Sequence, residues 1–306
     1  MKTLAIFLLI LFCSSAISQE RYTGPIIDMH LHAYANDSEM FRMEHPLTLR
    51  KETFKPTMTI KELEEETLKR MEKYNVVMGV VTNGNVWKSK VKERVLVAKG
   101  VIPTDTLRKS IESGDVKVIA ELAPFYANLK ADDPSMDATF ALAEELGIPV
   151  GVHILPGGPN DGIHLLPQVL GNMRAKNASP LQLEPILIKY PNIKLYIMHG
   201  GWPYVDDVKA LLYMHSNLYV DLAVLNWVLP KQECYNYIKS LIDAGFGDRI
   251  MYGTDQMSWP DVIDTGIETI QSADFLSVKQ KEDIFYNNAA RFLGLSEETI
   301  KKHKSK

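Results

Sequence analysis

The chain has 306 residues, 46% hydrophobic and 24% charged, an ordinary globular composition with enough length to bury a sizeable core. A formal charge of -4 supplies no basic field for a phosphate backbone, and no Lys/Arg cluster precedes the closing "KKHKSK", so nucleic acid is excluded as a partner.

The start, "MKTLAIFLLILFCSSAISQE", places one lysine before an apolar run and small residues after it, the layout of a cleavable export signal over residues 1–18. The run is too short to anchor the chain in a bilayer. A secreted or periplasmic protein, free of the membrane once cleaved after Ser18, is expected. Phe12 before Cys13 argues against a lipid-modified cysteine, and cleavage leaves Cys234 with no partner for an internal disulfide, so stability must come from the core.

Eight short apolar runs follow: "PIIDMHL", "NVVMGVV", "RVLVAKG", "VKVIAEL", "IPVGVHI", "IKLYIMH", "NLYVDLA" and "DRIMYGTD". Their near-continuous hydrophobicity fits parallel strands covered on both faces. Helical patterns fall between most of them. Thr59 and Glu62 stand at capping-box spacing, Asp133-Pro134 opens "SMDATFALAEEL" with Gly147 closing it, Ser179-Pro180 starts another, and Ser277 and Gln280 open the last. This alternation over residues 19–300 points to a single-domain (β/α)8 TIM barrel, with 301–306 as a basic tail. A doubly wound sheet is the competitor, but no Gly-x-Gly-x-x-Gly follows a strand. Residues 33–58 and 155–179 are long Pro/Gly/polar-rich insertions that would sit at the C-terminal rim as pocket walls or lids.

The chemistry-bearing residues lie at strand ends. His30 and His32, two apart, face the same way from the first strand. His153 ends the fifth strand, His199 the sixth and Asp255 the eighth. A lone His-x-His also occurs as hydrogen-bonded core. Four imidazoles and a carboxylate at the C-terminal ends of four strands instead describe a site for a divalent transition metal, zinc first, with manganese and iron as the other candidates.

This pattern is similar to the metal site of the amidohydrolase superfamily, in particular its amidohydrolase-related branch with the aminocarboxymuconate-semialdehyde decarboxylase-like enzymes. The likeness runs from about residue 25 to 295 and includes "LAEELGIPVGVHI", "IMHGGWPY", "RIMYGTDQM" and "IFYNNAARFL". It implies a metal-dependent barrel that hydrolyses amides, esters or lactones, or decarboxylates aromatic and unsaturated acids. It also implies His30, His32, His153 and Asp255 as metal ligands. His199 matches a ligand in binuclear relatives and a substrate- or water-orienting residue in mononuclear ones. Where relatives carry a bridging carboxylated lysine or glutamate, "VIAELAP" offers Glu121, as a ligand, as an acceptor for an imidazole N–H, or as a carboxylate paired elsewhere.

The expected activity is hydrolysis of a small amide, ester or lactone by activated water, with Asp255 shuttling the proton and His199 stabilising charge on the substrate oxygen. Decarboxylation in the same fold and a non-catalytic metal-binding barrel are the alternatives. Trp202, Tyr204 and Trp259, with His164 in a rim loop, are expected at a small, flat or apolar substrate. Trp227 fits rim packing better. His45 is a second rim-loop candidate, and Arg42, Arg50 and Arg174 could clamp a carboxylate. His215 and His303 are expected in solvent.

Overall fold

The computed structural model describes residues 20–38, 40, 48–50, 52–87, 91, 93–100 and 102–305. The expected signal segment 1–18, Arg42 and His45 lie outside the described residues.

Eight parallel strands form one sheet in sequence order: β1 (Ile26–His32), β2 (Val76–Thr82), β3 (Val95–Lys99), β4 (Val118–Leu122), β5 (Val150–His153), β6 (Leu195–Met198), β7 (Leu218–Asp221) and β8 (Ile250–Met251). Backbone bonds from Met29 N to Tyr252 O (3.0 Å) and from Asp255 N to His30 O (2.7 Å) tie the chain at β8 back to β1. The sheet thus curls into a nearly closed (β/α)8 barrel. Nearly every strand residue is buried, because helices cover one face and barrel side chains fill the other.

Helices α1 (Ile60–Lys73), α2 (Thr104–Glu112), α3 (Asp137–Leu146), α4 (Glu184–Lys189), α5 (Val205–Met214), α6 (Lys231–Asp243) and α7 (Val262–Gln271) pack around the barrel. Their starts follow the chemistry of their first residues. Thr59 accepts from Glu62 N, Asp133 from Ser135 N, and Ser277 forms a full capping box with Gln280 at the head of α8 (Val278–Glu282). Gly147 ends α3 in the left-handed region that glycine adopts without cost. Between β2 and β3 the described residues hold a short 3-10 turn, Gly84–Val86, where the alternation would place a helix.

A π turn (Asp283–Asn287) links α8 to α9 (Asn288–Leu293), which closes one end of the barrel: Asn288 donates to Gly247 O (2.9 Å) and Ile250 O (2.8 Å), while Tyr286 and Phe292 pack into the interior cluster with Met29, Tyr196 and Met251. The segment 301–304 is not a solvated tail. It finishes α10 (Glu297–Lys304), and His303 is buried with Nδ1 3.0 Å from the Tyr286 hydroxyl. The helix has few apolar residues, so its docking face escapes a polarity reading. His215 is half-buried at the end of α5. Cys234 is a free thiol on the buried face of α6. No helix among the described residues is long and apolar enough to cross a membrane.

Candidate active site

The C-terminal ends of β1, β4, β5, β6 and β8 bring six polar side chains to one point. His30 Nε2 and His32 Nε2 are 3.2 Å apart, as expected of neighbours on one strand face. His32 Nε2 lies 2.9 Å from Asp255 Oδ1, and His30 Nε2 lies 3.6 Å from Glu121 Oε2. His199 Nε2 is 3.2 Å from Glu121 Oε1 and 3.0 Å from His153 Nδ1, and His153 Nδ1 itself contacts Glu121 Oε1. Glu121, which the sequence left with three roles, therefore faces the cluster. Three overlapping sets place their donor atoms within 4.8 Å of one another: His30, His32 and Glu121; His30, His199 and Asp255; Glu121, His153 and His199.

The electrostatics of this ring call for positive charge at its centre. Burial opposes ionisation of Glu121 and Asp255, but the surrounding imidazoles outweigh it and hold both carboxyls below their ordinary values, Glu121 far below. Burial likewise opposes charge on His30 and His199, and the carboxylates outweigh it, drawing both rings toward protonation. At His153, burial and the His199 charge prevail and favour the neutral ring. His153 Nε2 is buried without a hydrogen-bond partner. Converging imidazole nitrogens, ionised carboxylates and the orphaned His153 nitrogen fit a divalent cation.

The backbone around the ring is strained. His199 (φ 60°), Asp255 (φ 57°), Met257 (φ 45°) and the β-branched Val224 (φ 67°) all occupy the left-handed region, where each residue costs about 1–3 kcal/mol and is held by its surroundings.

Three polar supports carry no motif. Asp221, at the end of β7, accepts from His199 N (2.8 Å) and Ala223 N (3.0 Å) through Oδ1 and holds Oδ2 3.7 Å from His30 Nδ1. Asp28 accepts from His30 N and Thr254 N, and burial pushes its carboxyl up to about 7. Gln256 accepts from His32 N (2.9 Å) and donates to His32 O (2.8 Å). The available sequence signal was a carboxylate ending a strand in "YVDLA", in register with the other ligand ends.

Above the ring opens a cavity of about 500 Å³. The insertion after β5 contributes Leu155, Leu166, Val169, Leu170 and Met173, and the chain after β7 adds Val224, Trp227 and Leu229. Trp202, Trp259, Tyr34 and Leu49 complete the walls, so both long insertions do form pocket walls. Trp227 combines lining with packing, 6.5 Å from the Trp259 ring and with its indole N–H on Thr254 O.

Two of the expected substrate contacts lie elsewhere. Tyr204 packs behind the wall against Phe125, Leu170 and Met173 and donates to Ala175 O. His164 projects into solvent at 77% exposure beside Asp161, because the short turn Gly162–Leu165 directs it away from the cavity. Neither Arg50 nor Arg174 lines the cavity. Arg50 is buried and donates to Leu229 O, Thr269 Oγ1 and Asn226 O, while Arg174 donates to Gly171 O and Met173 O.

A family model described as amidohydrolase matches residues 27–295. The chain belongs to the amidohydrolase family. This is an enzyme family dependent on divalent metals, and the ligand ring just described fits such an ion. Among solved structures, this amidohydrolase is similar to a probable 2-pyrone-4,6-dicarboxylic acid hydrolase from Acinetobacter baumannii, crystallised with citric acid (14% identity, TM-score 0.60, covering 88% of this chain and 99% of that one). It is similar also to 5-carboxyvanillate decarboxylase from Sphingomonas paucimobilis (13% identity, TM-score 0.60, covering 89% and 99%). A curated relative, Protein fluG of Emericella nidulans, is 18% identical over 136 residues, which cover 40% of this chain and 16% of that protein.

Proposed function

We propose that this amidohydrolase uses zinc to hydrolyse a small carboxylic ester, lactone or amide, in an exported location indicated by the leader-like residues 1–18. The observation that carries the reading is the closed ring of His30, His32, Glu121, His153, His199 and Asp255 at the floor of an apolar cavity. These six would hold the ion. A divalent cation there would supply Lewis acidity and lower the pKa of a water to about 7.

The rest falls to the chain's own groups. Asp255, kept ionised by His30 and His32 against its burial, takes the proton of the attacking water and returns it to the leaving oxygen or nitrogen. His199, fixed through its backbone N–H by Asp221, steadies the charge that develops on the substrate oxygen. Glu121 orients the His153 and His199 rings, and the apolar walls exclude water from the reacting groups. Among the cavity residues, Trp202 and Trp259 are the proposed substrate contacts, joined by Tyr34.

Decarboxylation of an unsaturated or aromatic acid is the second reading, supported by the shared fold of the Sphingomonas paucimobilis decarboxylase. The test is turnover by the zinc-loaded protein on an ester, lactone and amide panel and on a set of hydroxybenzoic acids. Release of acid from the panel without carbon dioxide from the benzoates supports hydrolysis. Carbon dioxide release without panel turnover replaces it with decarboxylation, and neither reaction leaves a binding barrel.

A further inference from the structure

The cavity changes character abruptly above the ligand ring. Among its described lining residues there is no lysine or arginine, and its polar members near the floor are His32, Glu121, His153, His199 and Asp255 of the ring and two tyrosines. Cations nearby are already engaged. Arg50 has a side chain only 5% exposed and gives its N–H groups to Leu229 O, Asn226 O and Thr269 Oγ1. The indole donors are engaged too, Trp227 on Thr254 O at 2.8 Å and Trp202 on Glu233 Oε1 at 3.0 Å.

That leaves Tyr34, stacked on His32, and Tyr126, against His153, as hydroxyl donors beside the ring. A phenol hydroxyl is uncharged at neutral pH and brings no positive charge. An ester or lactone carbonyl needs only such neutral donors. A free carboxylate lodged against Leu155, Val169, Leu170, Met257 or Trp259 would lose water and gain no cation from the described lining residues in exchange.

We propose that the cavity selects neutral esters or lactones bearing a flat or alkyl apolar group and rejects substrates that carry a second, free carboxylate. This rests on the hydrolase reading above. In the reaction, water oxygen bonds to the acyl carbon, the acyl C–O bond breaks, and the water proton passes through Asp255 to the departing oxygen. Acid and alcohol result, or one hydroxy acid from a lactone, with no change of oxidation state.

A matched pair of substrates tests it: p-nitrophenyl hexanoate and the mono-p-nitrophenyl ester of adipic acid, equal in chain length and different by one terminal carboxylate. With the zinc-loaded protein, kcat/KM is expected to favour the hexanoate by at least about tenfold to a hundredfold. Val169→Arg, at a wall position 44% exposed and so tolerant of a longer side chain, should shrink that ratio at least about fivefold.

Binding is read separately, without metal or turnover, by the fluorescence of the lining tryptophans: δ-decalactone should bind at least about tenfold tighter than sebacate. A ratio near one or inverted in both the kinetic and the binding arm overturns the inference. Turnover of neither ester with the lactone preference intact overturns the hydrolase reading instead and leaves the selectivity standing.

Discussion

The barrel holds buried histidines in two regions, and their treatment is opposite. Where α9 and α10 pack, His303 is hydrogen-bonded to the Tyr286 hydroxyl, and Asn288 satisfies two backbone carbonyls at the start of β8. At the ring of six, His153 Nε2 is buried without a hydrogen-bond partner, His30 Nδ1 and Asp221 Oδ2 face each other only at 3.7 Å, and four neighbouring residues sit in the left-handed backbone region. Folding alone would not gather so many buried, imperfectly paired polar groups in one place, since a buried group left unsatisfied costs about 1–3 kcal/mol. The helix-packed region serves stability, while the ring gathers donor atoms that fit a cation.

Substitutions should separate the two. Asp255→Asn keeps the side-chain volume and removes the proton acceptor; kcat/KM on an ester substrate is expected to fall by on the order of 10²–10⁴, with the circular dichroism spectrum unchanged. Asp221→Asn weakens the hold on His30 and His199 without touching a ligand atom. It should lower metal affinity roughly 10–100-fold, measured by competition with a chromogenic chelator.

Tyr286→Phe should do the reverse. It removes the hydroxyl that His303 Nδ1 bonds and should cost about 1–3 kcal/mol in denaturant unfolding while kcat/KM stays within twofold. A large activity loss here would break the contrast between the regions.

Smaller still is the effect at Asp264 on α7, whose carboxyl sits among Arg70, Lys73 and Tyr74. Burial raises its pKa, but those partners outweigh it and hold it below the ordinary aspartate value. Its contribution is therefore present above the unfolded pKa of about 3.9 and is lost as pH falls through the lower folded value. Asp264→Asn should cost about 1 kcal/mol or less at pH 7 and progressively less as pH falls below about 4, read from urea midpoints. Cys234, fully buried and pushed up to about 12 by that burial, should not react with a thiol reagent until the protein unfolds.

Much of this architecture is legible in the sequence because burial on both faces leaves a direct mark: all eight apolar runs are strands, and the strand-end histidines and Asp255 do meet. What is not legible depends on distant partners. Arg50 resembles a free clamp until Leu229 and Asn226, more than 170 positions away, claim its N–H groups. Asp221 ends an ordinary strand and gains meaning only when β7 lies beside β6 and β8. His164 and Tyr204 belong to the rim, but side-chain direction in irregular segments follows no fixed period, so proximity in sequence did not become a place in the cavity.

The central claim is that the ring of six side chains is a metal centre, and elemental analysis of the purified protein tests it most directly. After loading with zinc or manganese and removal of free ions, the chain should carry about one or two ions, and the His30→Ala/His32→Ala variant should lose them. A folded wild-type protein that retains no metal, or a double variant that retains it undiminished, would contradict the account.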